Sequence, residues 1–129
     1  MSEVLWTLPV PSTALSRGTR FTELGKRQCT LSFETEDDDA TGEIRWQLLF
    51  DGVEAYRCTY LTSCTVEMFN TTYDKLVKLG PTPWLHDVLE VFSRSNAAPP
   101  ELQHLMITFD DGPCYEFICT SFLPSFAAA

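Results

Sequence analysis

The stretch HLMITFDDGPCYEFICTSF, residues 104–122, sets the reading of the whole chain. Two runs rich in β-branched and aromatic residues flank Asp110-Asp111-Gly112-Pro113. Proline cannot donate to a ladder and glycine accepts positive φ, so the chain is predicted to reverse there as a β-hairpin. Pairing Phe109 with Tyr115 sets Ile107 against Phe117 and Leu105 against Cys119, a wholly apolar face. Pairing Phe109 with Cys114 would instead set Ile107 against Glu116. The expected loop is therefore five residues, 110–114. In that register Glu116 faces Thr108 on the opposite face, between Met106 and Ile118.

Upstream, Gln28 to Glu34 alternates Cys29, Leu31 and Phe33 with polar residues, which predicts a one-sided strand. It runs into Glu34-Thr35-Glu36-Asp37-Asp38-Asp39, read as a solvated acidic hairpin loop because the spacing lacks the alternating ligands and central glycine of a calcium loop. A second hairpin is expected from Glu43–Phe50 and Glu54–Leu61, turning at Asp51-Gly52-Val53. A three-residue loop would pair Leu48 with Tyr56, Trp46 with Cys58 and Ile44 with Tyr60. Arg45, Gln47, Arg57 and Thr59 would then share a polar face.

From Thr62 the period changes to three and four. Val66, Phe69, Tyr73, Leu76 and Val77 mark an amphipathic helix capped by Ser63 or Thr65 and stopped by Gly80-Pro81. A second helix opens with Thr82 as N-cap and Pro83 in the first turn, with Leu85, Val88, Leu89 and Phe92 as its stripe. The resulting order, β-β-β-α-α-β-β, predicts an α+β domain: a mainly antiparallel sheet of about five strands with both helices on one face. Residues 1–27 show no sustained period and are expected as an irregular arm with at most an edge strand near Leu5–Val10. Residues 28–122 form the domain, and the tail 123–129 is expected to fray.

Composition narrows the partners. Hydrophobic residues make up 44% of the 129, enough to form a core without disulfides or metal. No apolar run approaches the roughly 20 residues of a membrane span. Val4-Leu5-Trp6 is soon interrupted by prolines and has no basic residue before it, so a secretory leader is not expected. The formal charge is −9, with four of the nine bases and two of the 18 acids in residues 1–33. An acidic body of this kind argues against nucleic acid or anionic lipid and suits a basic protein partner. Five cysteines, 29, 58, 64, 114 and 119, include no C-x-x-C pair, so no metal or other cofactor is expected and a reducing, cytoplasmic setting fits.

Three groups carry candidate chemistry. Arg45, Arg57 and Glu116 could converge on the polar sheet face to clamp an anionic ligand; alternatively Glu116 pairs with one of the arginines. Glu36, Asp37, Asp38, Asp39, Asp110 and Asp111, with the off-stripe Trp84, could meet a basic partner. Cys64 beside His86 or His104 would be needed for nucleophilic catalysis, and no spacing supports it. A non-enzymatic binding protein of inhibitor or immunity type is therefore the leading expectation, with an anionic-ligand binder or enzyme as the alternative and edge-strand homodimerisation as a third possibility.

Overall fold

The structure, a computed structural model, describes residues 2–37, 42–95, 98 and 100–128. Among these the α+β class holds, with nine strands: β1 Glu3–Thr7, β2 Arg20–Gly25, β3 Gln28–Glu36, β4 Glu43–Asp51, β5 Ala55–Thr59, β6 Lys75–Lys78, β7 Gln103–Thr108, β8 Cys114–Cys119 and β9 Ser121–Ala128. Two helices accompany them, α1 Val66–Thr72 and α2 Pro83–Arg94. The strands pair antiparallel in two sheets, a five-stranded sheet A ordered β1-β6-β7-β8-β5 and a four-stranded sheet B ordered β2-β3-β4-β9.

The sheets bury one another's inner faces. Leu31, Phe33, Leu48 and Phe50 of sheet B join Leu76, Leu105, Ile107, Tyr115 and Phe117 of sheet A in one apolar cluster. Phe50 stacks on Phe117 with ring centroids 3.8 Å apart, and Phe33 meets Phe109 edge-on at 6.0 Å. Burying side chains of this size contributes roughly 2 kcal/mol apiece, so this interface is the main source of stability. Strands β7 and β8 are almost wholly buried on both faces, since the helices cover the outer face of sheet A. Thr72 of α1 bonds Thr108 there at 2.7 Å, and Thr82, the N-cap of α2, bonds His104 at 2.8 Å.

Several expectations are corrected. The β7–β8 hairpin has a tighter register than expected, pairing Ile107 with Tyr115, Leu105 with Phe117 and Met106 with Glu116. A two-residue slip preserves which face each side chain takes, so the apolar face survives. The tight turn is set by Gly112 at φ 67, whose N–H donates to the Phe109 carbonyl at 2.8 Å. The expected β4–β5 hairpin does not form. Strand β4 is flanked by β3 and β9, while β5 pairs with β8 in the other sheet. The crossover is stitched to both, Val53 N–H donating to the Arg27 carbonyl at 2.9 Å and Glu54 N–H to the Ile118 carbonyl at 2.8 Å.

The helix expected over Val66–Val77 stops at Thr72, and Asp74 at φ 57 turns the chain into β6. Leu76 and Val77, both almost fully buried, serve opposite faces of sheet A between β1 and β7. Their three- and four-residue spacing from Tyr73 therefore imitates a helical stripe. The edge strand expected near Leu5–Val10 is present as β1, at the edge of sheet A against β6, but the rest of the arm is not irregular, because β2 pairs with β3 and sets Phe21 against Leu31. Nor does the tail fray: β9 pairs with β4 through Ala128. Strand β3 is not one-sided either, since Glu34 on its outer face is only 1% exposed.

Candidate functional site

The outer face of sheet A carries a continuous polar chain beneath α2. Glu116 on β8 stands opposite Arg57 on β5 and Met106 on β7. Arg57 donates from Nε to Glu116 Oε2 at 2.7 Å and from Nη2 to Oε1 at 2.9 Å, a two-bonded fork. His104 Nε2 lies 2.9 Å from the same Oε1, and its Nδ1 lies 2.8 Å from Thr82 Oγ1. Thr82 Oγ1 also accepts the Leu85 N–H as helix cap, so His104 links the cap of α2 to the Glu116 carboxylate. Trp84 roofs the cluster, its ring 4.1 Å from the Arg57 guanidinium carbon and edge-on to His104 at 5.1 Å.

This arrangement is chemically closed. Glu116 is fully buried and His104 nearly so. Burial alone would raise the Glu116 pKa, but the hydrogen bonds from His104 and Arg57 and the Arg57 charge outweigh it, and the carboxyl is held below its usual range. Arg57 is in turn pushed up by its bond to that carboxylate. A general acid at this position would need a raised pKa, so the ion pair is the reading the geometry supports. Trp84, singled out as a partner anchor, is half-buried over this cluster.

Arg45 is elsewhere. It lies on β4 in sheet B, so it does not converge with Arg57 and Glu116, and the expected clamp is not assembled. Its neighbour is Glu34, whose carboxylate lies 2.6 Å from Arg20, 3.6 Å from Arg17 and 4.0 Å from Arg45. The Arg20 hydrogen bond prevails over burial and holds the Glu34 carboxyl low. Sequence reasoning missed this cluster because β2, which presents Arg20, carried no recognisable period.

No protein-family model, curated protein or solved structure matches this chain.

The two acidic turns are linked through one segment. The Ser12–Ser16 segment bridges them, Ser16 N–H donating to the Glu34 carbonyl at 3.1 Å and Ser12 Oγ accepting the Asp110 N–H at 2.8 Å. Glu36 and Asp37 follow Glu34 at the end of β3, and Asp111 follows Asp110 in the β7–β8 turn. Glu36 and Asp111 are exposed, while Asp110 also accepts the Tyr73 hydroxyl at 2.8 Å. Asp38 and Asp39 lie outside the described residues. Cys64, by contrast, donates to the Thr59 carbonyl at 3.4 Å, His86 lies 3.8 Å from Glu90, and both nitrogens of His104 are engaged. Among the described residues no group of three or more His, Cys, Asp or Glu is arranged to hold a metal, and no helix is long and apolar enough to cross a membrane.

Proposed function

We propose that this chain is a non-enzymatic, cytoplasmic binding protein whose acidic end receives a basic protein surface. One observation supports the reading: the Ser12–Ser16 segment hydrogen-bonds both the strand end that leads into Glu36-Asp37, at the Glu34 carbonyl, and the turn at Asp110-Asp111, at the Asp110 N–H. With the chain at −9, such an end attracts a cationic protein and repels nucleic acid. An inhibitor or immunity-type role, covering the cationic site of an enzyme, is the concrete form of this proposal. The five free cysteines, three of them buried, suit a reducing cytoplasm.

The test is affinity capture from a host lysate at low and high salt, beside a Glu36→Lys/Asp111→Lys variant. Both positions are exposed, so charge reversal there leaves the core untouched. The expected result is a basic protein held at low salt, released at high salt and not captured by the variant. Capture insensitive to the reversal, or no basic protein at low salt, overturns the proposal.

A further inference from the structure

The outer face of sheet B is covered by neither helix. On it, Arg20, Ser32, Gln47 and Ser125 form one cross-strand row, and Glu34 and Arg45 lie in the next. Arg17, from the segment preceding β2, reaches the same carboxylate. We propose that this face binds a compact oxyanion of the phosphate class through Arg17, Arg20 and Arg45, organised around Glu34.

The numbers of donors and charges carry the argument. Glu34 is 1% exposed; its Oε2 takes the close hydrogen bond from Arg20, while its buried Oε1 has no hydrogen-bond partner and faces Arg17 Nη1. Arg17 and Arg45 spend no close hydrogen bond on that carboxylate. They stand 3.6 and 4.0 Å from Glu34, beyond hydrogen-bond reach, with side chains 66% and 53% exposed. Each guanidinium has five N–H donors, so the cluster presents a fan of unspent donors to solvent. Three guanidinium charges against Glu34 and Glu43, the two carboxylates within 4.0 Å of them, leave a local surplus of one positive charge. Arg20 and Arg45 both approach Glu34 Oε2, so one small oxyanion can bridge them, and Ser32, Gln47 and Ser125 add neutral donors alongside.

The surroundings restrict what fits. Glu43, 4.0 Å from Arg17, and Glu36 form the next row and close the patch with negative charge. Together with the −9 of the chain, they oppose an extended polyanion and leave a compact ligand: free phosphate or a single phosphorylated side chain.

Calorimetric titration of the intact protein with inorganic phosphate, and with a phosphoserine peptide and its unmodified form, tests the site. Constant ionic strength is maintained with chloride. The expected result is phosphate binding in about the millimolar range or tighter, weakened about tenfold in Arg45→Gln and in Arg17→Gln and unchanged in Lys26→Gln. Arg17 and Arg45 are more than half exposed, so these variants retain the fold, which circular dichroism verifies. Peptide binding that depends on the phosphoryl group identifies a phosphorylated partner, whereas binding of inorganic phosphate alone identifies a free ligand; both support the site. No heat with either ligand, or equal affinity in the arginine variants, overturns it.

Discussion

Arg57 and Glu116 face each other across β5 and β8, joined by two hydrogen bonds of 2.7 and 2.9 Å, yet one is half in solvent and the other fully buried. Arg57→Ala would leave Glu116 with His104 alone. Breaking a buried pair costs about 3–5 kcal/mol, and the exposure of Arg57 reduces this, so a loss of about 2 kcal/mol is expected in urea denaturation. Arg57→Lys keeps the charge but not the fork and falls between the two. A midpoint equal to wild type in Arg57→Ala would show that the pair contributes nothing.

The two buried carboxylates set the acid side of the stability curve. Glu34 and Glu116 are both held below the ordinary value of 4.5 in the folded state. A depressed folded pKa contributes stability that is present above the unfolded value and lost as pH falls through the folded one. The denaturation midpoint is therefore expected to be insensitive to these groups at neutral pH and to decline once pH drops below 4.5. Glu34→Gln should be less stable at neutral pH and show a shallower acid decline. An unchanged acid slope in that variant contradicts the assignment.

Gly52 and Gly18 make a matched pair of substitutions. At Gly52, φ is 63 and an added Cβ would stand 2.2 Å from the Thr120 hydroxyl, which is fixed by its bond to the Asp51 carbonyl. Gly52→Ala is expected to cost about 2 kcal/mol through strain at the sheet-to-sheet crossover. Gly18 has nothing within 4 Å of the same position. Gly18→Ala is expected to be neutral or to stabilise by about 0.5 kcal/mol through the unfolded chain. Thermal melts of the two variants give the comparison.

Thiol labelling reports the burial pattern directly. Cys114 and Cys119 have no exposed surface, and burial pushes both thiols up to about 12. Cys58 is exposed on the edge strand β5. In the native protein Cys58 is expected to react with a disulfide reagent first, and Cys114 and Cys119 only on unfolding. Rapid native labelling of Cys119, read by peptide mass, would place β8 at the surface instead.

Local pattern carried some elements and misled at others. Thr82 and Pro83 announced α2 because a cap and a first-turn proline act within a few residues. Thr65 likewise caps α1, accepting the Met68 N–H at 3.2 Å. Leu76 and Val77 misled because alternation over so few residues also satisfies a helical period, and their true partners, Val4 and Trp6, are about seventy positions away. At the candidate site, Glu116 with an arginine partner was legible as a carboxylate on the less apolar face of β8. That Arg57 rather than Arg45 met it was not, because cross-strand distance depends on which sheet each strand joins.

The sequence by itself determined the α+β class, the turn at 110–113, the cap of α2 and the alternation that sends Leu105, Ile107 and Phe117 inward. These follow from side-chain sterics and short-range periodicity. Only the tertiary structure decided that β4 and β5 part company at Gly52, that the arm and tail supply strands, and that Glu116 and Glu34 become separate charged centres on opposite outer faces. Strand partners are chosen by burial of whole faces and satisfaction of whole edges, terms that sum over residues scattered along the chain and leave no mark in any one stretch.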